Sequence, residues 1–521
     1  MAVRKRRLEL MIWSFLLSLS FYPGIFGFLA WFSLVRPLAI ISSLKGSEAF
    51  RASYFFGFFF SLFSLYWVAL VTPPGMISAV VIVAFYYAAI LTVFNKLFQI
   101  RSGLGIVALP MLWVGLEYFR TLSQFAFPWS DLGYSQAHYL YILQIASVIS
   151  VHGLSFLIVT VNLLLWQVFR KTLSAERRLT SLLASLAIVL ALLSFGWIVM
   201  PQYPIEGDYR VALLQGSVPL EVKWAPGNRN HSLRLYDSLA QTAAGDSIIL
   251  YIWPETSAPC YLSNDWGCRR AVGDIVRRSG AYHLVGALGA TFINDTVAEH
   301  YNSCYQFNPN GRVDRRYDKV KLVPFSEQVP YQDWVPFMKQ EFLRKYLTFI
   351  DTYDIQWWSD FRPGDDSSLV FELPDTRYAV LICFESTFPE FSRRAIQQGA
   401  DFLVGITNDT WFGKSVGIYM HSSIFVTRAV ENRCWGARAA NSGLTYVVDG
   451  YGRQRGRLEA YEVAVLRARV GPLDGFSIFT LYGDIVGRFS FLITVSIGGI
   501  LLLVWILRKI MPVRGKLPQR S

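Results

Sequence analysis

Seven long apolar runs constrain this chain more than any other feature. They cover residues 10–42, 52–72, 76–98, 103–119, 148–169, 179–199 and 487–508. One such run can be a buried core helix. Crossing a bilayer takes about 20 apolar residues, and seven runs of that size in one chain point to membrane spans. The first run is too long for one crossing, and Pro23-Gly24 divides it into a short hairpin, so about eight spans are expected. With 53% hydrophobic and only 17% charged residues, the composition is that of a membrane protein. The stretch between the seventh and eighth spans reads differently. The expected organisation is a membrane domain over 1–200, a soluble α/β domain over 201–486, and a last span with a basic tail over 487–521.

Charge gives the orientation. Alternate connections carry Arg4, Lys5, Arg6 and Arg7; Lys45 and Arg51; Lys96 and Arg101; Arg170, Lys171, Arg177 and Arg178; and the basic tail from Arg508 to Arg520. The connections between them, Thr72–Gly75 and Arg120 to about Ser147, hold Arg120 as their one basic residue. By the positive-inside rule both termini are cytoplasmic and the 201–486 domain lies outside the cytoplasm. The net charge of +12 is thus largely topological and does not point to nucleic acid. The N-terminal "RKRRLEL" has no small-x-small cleavage site after it and reads as a retained anchor. Arg36 falls inside the second span, where it either snorkels to an interface or marks an early end. Glu117 and Arg120, at the outer end of the fifth span, read as a mutual ion pair or as a contact to lipid or to the soluble domain.

The soluble stretch has strand-like runs at 209–215, 247–253, 283–289, 302–307, 378–383, 401–407, 445–449 and 462–468. Helical patterns at 229–243, 268–279, 389–398 and 421–439 lie between several of them. That alternation predicts sheets with helices outside. The irregular stretch 331–360 is rich in Trp, Phe and Tyr. Trp334, Phe337, Phe342, Phe349, Trp357 and Trp358 on a soluble surface would form the kind of apolar patch that marks an interaction site. The expectation is that this segment leans on the bilayer or covers an acyl channel.

Familiar catalytic motifs are missing: there is no G-x-S-x-G, no H-E-x-x-H and no paired C-x-x-C, and the six histidines are scattered. What remains is acids, lysines and a cysteine at strand ends. "LYIWPET" brings out Glu255, "YDKVKLVPFSE" offers Lys319, Lys321 and Glu327, and "YAVLICFES" ends on Cys383 with Glu385 two residues on. A cysteine there is either packed core or a nucleophile. Glu255 and Lys319 read singly as surface charges. Together, a carboxylate can take a thiol proton and an ammonium can hold a developing oxyanion. Among Cys260, Cys268, Cys304, Cys383 and Cys434, the first two can pair in an oxidising compartment, and the odd count leaves at least one free thiol.

The order W-P-E, Y-x-K-x-x-L and I-C-x-E resembles the nitrilase (carbon–nitrogen hydrolase) superfamily. Joined to the membrane domain, it resembles the apolipoprotein N-acyltransferase family. "LVPFSEQVP" (322–330), "NDTWFGKSVG" (408–417), "TRAVENRCWGARAANSGLTYVVDGYG" (427–452) and "WVGLEYFR…FPWSDLGYSQ" (113–136) extend the likeness over nearly the whole chain. "GIYMH" (417–421) departs from the family's Gly-Pro, and the aromatic insertion before Phe361 is a second departure. The resemblance implies an αββα sandwich with Glu255 as general base, Lys319 as oxyanion stabiliser and Cys383 as nucleophile. It also implies Glu327 and Glu385 as supporting acids, with Trp224, Asn302 and Trp411 near the substrate. It implies no metal and no cofactor. The implied donor is a membrane phospholipid, phosphatidylethanolamine foremost, and the acceptor a diacylated apolipoprotein. The implied setting is a bacterial inner membrane with the soluble domain on the periplasmic side. Two rivals stand beside it: a membrane-tethered amidase or nitrilase that passes the acyl group to water, and a non-catalytic transporter or scaffold. The orientation is testable by itself. A cysteine introduced within 331–360 should react with an impermeant thiol reagent on intact spheroplasts, and protection until lysis would reverse the topology.

Overall fold

The computed structural model describes residues 2–225, 227–294, 297–339, 342, 360–472 and 475–510. Seven helical segments among them are long and apolar enough to cross a membrane: Ile25–Ser42, Gly46–Leu70, Pro73–Ile100, Ser102–Phe119, Ala146–Val168, Ala175–Val199 and Ile485–Leu507. The first half of the expected hairpin is the helix Ala2–Leu19, which begins with Arg4, Lys5, Arg6 and Arg7. Arg36, half-exposed, pairs with Glu9 at 2.6 Å. The basic ends cluster. Arg6 lies 3.7 Å from Glu48, and the Arg170 guanidinium sits 5.0 Å from the Phe98 ring and 5.2 Å from the Trp166 ring. At the other ends of these helices, Thr72, Phe119 and Arg120 meet the soluble domain around a shared cavity.

The soluble domain holds two sheets. The first has strands β1 (Tyr209–Gln215), β2 (Leu250–Ile252), β3 (Ala258–Tyr261), β4 (Tyr282–Phe292), β5 (Ala298–Phe307) and β6 (Val313–Asp318). The second has β7 (Val370–Glu372), β8 (Arg377–Ile382), β9 (Phe402–Thr407), β10 (Trp435–Ala440), β11 (Thr445–Val448) and β12 (Gln454–Leu458), while β13 (Ala464–Val470) returns to the first. Strand order is β13-β1-β2-β4-β5-β6, with β3 beside β4, against β12-β11-β10-β9-β8-β7. Side chains on a strand alternate between faces, and β1 buries both. Val211 and Leu213 join the core between the sheets. Ala212 and Leu214 join the core under the helices Arg229–Thr242 and Trp266–Ser279. The helices Pro389–Gln397 and Val416–Asn432 cover the second sheet, giving an αββα sandwich. One expectation needs correcting. The helix read over 421–439 stops at Asn432, because Arg433 turns left-handed (φ 54°) and residues 435–440 form β10 against β9.

Buried charges dock this domain on the membrane segments. Arg428, fully buried, reaches the Tyr134 hydroxyl at 3.0 Å and the Glu431 carboxylate at 3.1 Å, and Glu431 accepts from the backbone N–H of Val151 at 2.8 Å. Of the two readings of Glu117 and Arg120, the mutual ion pair does not form. Asp131 takes the Arg120 guanidinium, while Glu117 accepts from the Trp113 indole and the Leu132 N–H, each at 2.9 Å. Asp131 wins because the chain folds back after the helix and delivers a carboxylate to the guanidinium. Removing one partner of a buried pair leaves an uncompensated charge. Arg428→Met should therefore lower the unfolding free energy in detergent by about 3–5 kcal/mol, and adding Glu431→Gln should restore most of it. An unchanged melting profile in the single variant would refute the docking role.

Candidate active site

β2 ends at Ile252, and Pro254 keeps Glu255 from continuing the ladder. Glu255 is 6% exposed. Its Oε1 accepts from Asn302 Nδ2 at 2.7 Å and its Oε2 from the backbone N–H of Asn408 at 2.8 Å. A Cβ on Gly286 would collide with the Pro254 carbonyl, so only glycine lets β4 pass so close. β6 ends at Asp318 and delivers Lys319, 1% exposed, whose Nζ lies 2.9 Å from Glu327 Oε1 and 3.8 Å from Glu255 Oε1. Asn302 ties the two acids together, donating also to Glu327 Oε1 at 3.0 Å. The Lys319 backbone is fixed as well, its N–H donating to the Asn302 carbonyl at 2.8 Å.

β8 ends at Ile382, and Cys383 follows with φ 51°, left-handed for a residue with a side chain. Such a conformation costs of order 1–3 kcal/mol and persists only where its surroundings enforce it. Glu385 is the enforcing group. One oxygen accepts from the Tyr317 hydroxyl (2.7 Å) and the N–H groups of Val320 (2.6 Å) and Lys321 (3.2 Å); the other accepts from the Ile382 N–H (2.7 Å). This single carboxylate clasps the turn after Lys319 to the turn that presents Cys383. Lys321 points elsewhere, with its Nζ 5.5 Å from the Phe388 ring centre.

The structure thus brings Glu255, Lys319, Cys383, Asn302 and Glu327 to the wall of one cavity of about 1270 Å³, which Trp224 and Trp411 also line. Membrane segments form the opposite wall, through Val71, Ser78, Ile82, Tyr86 and Phe119 among others. Trp224 is largely exposed and Trp411 half-buried at this wall. Cys260 and Cys268 are disulfide-bonded, and of the free thiols Cys304 and Cys434 are buried while Cys383 is partly exposed. In the aromatic insertion Trp334, Phe337 and Phe342 are exposed, and Phe349, Trp357 and Trp358 lie outside the described residues. Among the described residues, no group of three or more His, Cys, Asp and Glu side chains could hold a metal ion.

Electrostatics follow from the charge count. Burial opposes the Lys319 ammonium, but the Glu327 carboxylate first and the charges of Cys383 and Glu255 after it hold its proton well above the usual lysine range. For Cys383, burial and then the Glu255 charge push the thiol well up, against Lys319. A residue that sequence reasoning missed is Lys223. It is buried beside Trp224, donates to Thr256 Oγ1 at 3.4 Å, and is pushed by burial down to about 8 against the Glu255 charge. The apolar-looking "LEVKW" gives no sign that its lysine turns inward.

Burial also pushes Glu385 up to about 7, against the Tyr317 hydroxyl and the N–H groups of Ile382 and Val320, which favour its charged form. The clasp needs acceptors, and protonation turns one oxygen into a donor facing N–H groups. Ionisation is complete only above the raised value, so turnover of a short ester should fall as pH drops through about 7. In Glu385→Gln that acid limb should vanish into a low, flat rate. The same limb surviving in the variant would assign it to another group.

The chain's likeness to known proteins covers most of its length. Residues 14–164 match the family model for the apolipoprotein N-acyltransferase N-terminal domain, and residues 210–468 match carbon-nitrogen hydrolase. An apolipoprotein N-acyltransferase from Geobacter metallireducens is 33% identical over 487 residues, 90% of each chain. One from Chlorobaculum tepidum is 30% identical over 515 residues, 92% of each. One from Pseudomonas aeruginosa is 30% identical over 384 residues, 72% of this chain and 70% of that one. Among solved structures, an amidase from Nesterenkonia sp. is 19% identical, covers 52% of this chain and 93% of its own, and has a TM-score of 0.36. The chain belongs to the apolipoprotein N-acyltransferase family, and it is an acyltransferase of the membrane.

Proposed function

We propose that this enzyme moves an acyl chain from a membrane phospholipid to the α-amine of a diacylglyceryl-cysteine, by way of a thioester on Cys383. The observation that carries this reading is one cavity with Glu255, Lys319 and Cys383 on one wall and membrane helices on the other. In the first half-reaction the Cys383 sulfur attacks the ester carbonyl of the phospholipid. Glu255 takes the thiol proton as the carbon–sulfur bond forms, because the raised thiol keeps its proton until then. Lys319 donates to the oxyanion, and the glyceryl oxygen leaves with the proton from Glu255 as a lysophospholipid. In the second half the amine attacks the thioester, Glu255 takes a proton from the nitrogen, and Cys383 leaves and is reprotonated. The thioester carries the activation between the halves.

Supporting roles follow the same geometry. Glu327 keeps Lys319 charged and oriented, Asn302 fixes both acids, and Glu385 holds the two turns in register. Trp224 and Trp411 flank the path of the lipid. The soluble domain, outside the cytoplasm in a bacterial inner membrane, meets both lipids at the outer leaflet. The start of the aromatic insertion is stitched to the membrane-side loop, with Tyr331 N–H on Gln124 Oε1 at 2.6 Å and its ring 5.4 Å from Phe125. That favours a cover over the acyl channel.

The test is acylation without acceptor. Incubation with acyl-labelled phosphatidylethanolamine should label the protein, and neutral hydroxylamine should release the label. Cys383→Ala should abolish labelling, and Cys304→Ala and Cys434→Ala should keep it. Glu255→Ala should slow it by roughly 10²–10⁴-fold and Lys319→Ala by roughly 10²–10³-fold. Label persisting in Cys383→Ala would end the mechanism. Discharge to water, with none to a diacylated lipopeptide amine, would favour the membrane-tethered hydrolase.

A further inference from the structure

The strained turn at Cys383 has a second support that the mechanism above does not use. The Cys383 carbonyl accepts from Ser386 Oγ at 2.9 Å and faces His421 Nε2 at 3.1 Å. Nε2 also lies 3.1 Å from Ser386 Oγ, and since a carbonyl only accepts, a hydrogen bond to the Cys383 carbonyl requires the proton on Nε2. The other ring nitrogen, Nδ1, lies 2.9 Å from Asp409 Oδ1 and 3.2 Å from Arg438 Nη2. Arg438 in turn donates to Asp409 Oδ2 at 2.7 Å and to the Leu444 carbonyl at 2.6 Å. Asp409 further accepts from the Thr407 hydroxyl at 2.8 Å. His421, Asp409 and Arg438 are each 2% exposed or less. Four segments of the soluble domain thus meet at this imidazole.

The membrane domain meets it from the other side. The Trp129 indole, from the loop after the helix Ser102–Phe119, lies 5.7 Å from the His421 ring, and Phe412 lies 5.8 Å from it. Trp67, at the end of the helical segment Gly46–Leu70, sits 4.7 Å from both Trp129 and Phe412. Both tryptophans are buried. The fit is close: a Cβ on Gly417, one turn before His421, would come within 2.7 Å of the Trp67 ring. The imidazole is therefore packed between a buried ion pair of the soluble domain and an aromatic wall of the membrane domain, with its Nε2 on the carbonyl of the reacting cysteine.

We propose that His421 is a positioning residue for Cys383, held in place by the membrane domain through Trp129 and Trp67. The proposal rests on Cys383 being the nucleophile. It means that the membrane domain shapes the geometry of the chemical step as well as delivering lipid. Trp129, Trp67 and His421 itself also line the cavity, so a plain lipid-wall role is the competing account, and the choice of substrate separates the two.

The experiment measures Cys383 acylation in the full-length protein in detergent, with a short water-soluble ester and with phosphatidylethanolamine. Active sites are counted by the burst, so that misfolded protein is not scored as slow protein. His421→Ala should lower the saturating rate per active site by roughly 10- to 100-fold on both substrates, with KM for the short ester little changed. His421→Gln, whose amide can still donate to the Cys383 carbonyl, should recover part of that loss. Trp129→Ala should slow both substrates, and Trp129→Phe should restore most of the rate. A Trp129→Ala defect confined to phosphatidylethanolamine would overturn the coupling. A wild-type rate per active site in His421→Ala would overturn the positioning role. A wild-type enzyme that never acylates Cys383 would fail the nucleophile assignment itself, an outcome distinct from either.

Discussion

A lysine buried to 1% exposure stays charged only if carboxylates surround it, and the site is organised around that requirement. Lys319 has Glu327 at 2.9 Å and Glu255 at 3.8 Å, and Asn302 donates to both acids. Removing both carboxylates would strand a buried cation, and removing the lysine would strand two anions beside each other. The cluster fixes its own geometry for that reason. It carries two acids to one base, so burial first and the Glu255 charge after it push the Cys383 thiol up, and Lys319 offsets only part of that. On the proposed mechanism this is an advantage. The sulfur becomes a strong nucleophile only when Glu255 takes its proton in the presence of an ester carbonyl, which limits side reactions of a cavity-lining thiol.

The two domains meet where this chemistry would happen. The cavity has a charged, hydrogen-bonded wall from strand ends of the sandwich and an apolar wall from the ends of membrane helices. Neither wall alone would suit an acyl ester, whose reacting carbonyl needs donors and whose tail needs hydrocarbon. Holding the walls in register falls to buried polar contacts at the joint, such as Arg428 with Tyr134 and Glu431. Arg433 adds to them, donating to the Gln144 carbonyl at 3.2 Å and to Ser147 Oγ at 2.9 Å. Such contacts are directional and costly to break, so they resist sliding of one domain over the other in a way that apolar packing alone does not.

Much of this is legible in the sequence because the strands that carry the site are buried on both faces. β2 and β8 are buried apolar runs, and their ends lead to Glu255 and Cys383. Strands that lack that pattern stay hidden. β6, "VDRRYD", is charged enough to read as loop although it delivers Lys319. β10, "WGARAA", reads as the end of a helix until the left-handed Arg433 separates the two. Pairings across the fold are hidden too. Glu117 and Arg120 have helical spacing for an ion pair, yet a chain reversal brings Asp131 to the arginine. That the Asn302 side-chain nitrogen donates to two acids is equally hidden in the sequence.

The central claim is that an acyl group waits on Cys383 between two lipids, and the most direct measurement isolates that state. Enzyme loaded with acyl groups from phosphatidylethanolamine, then freed of donor and lysophospholipid, is mixed with a diacylated lipopeptide bearing a free α-amine. The account predicts one triacylated product per loaded Cys383, formed with no donor present and at a rate no slower than steady-state turnover. A loaded enzyme that releases nothing until fresh phospholipid is added would contradict it.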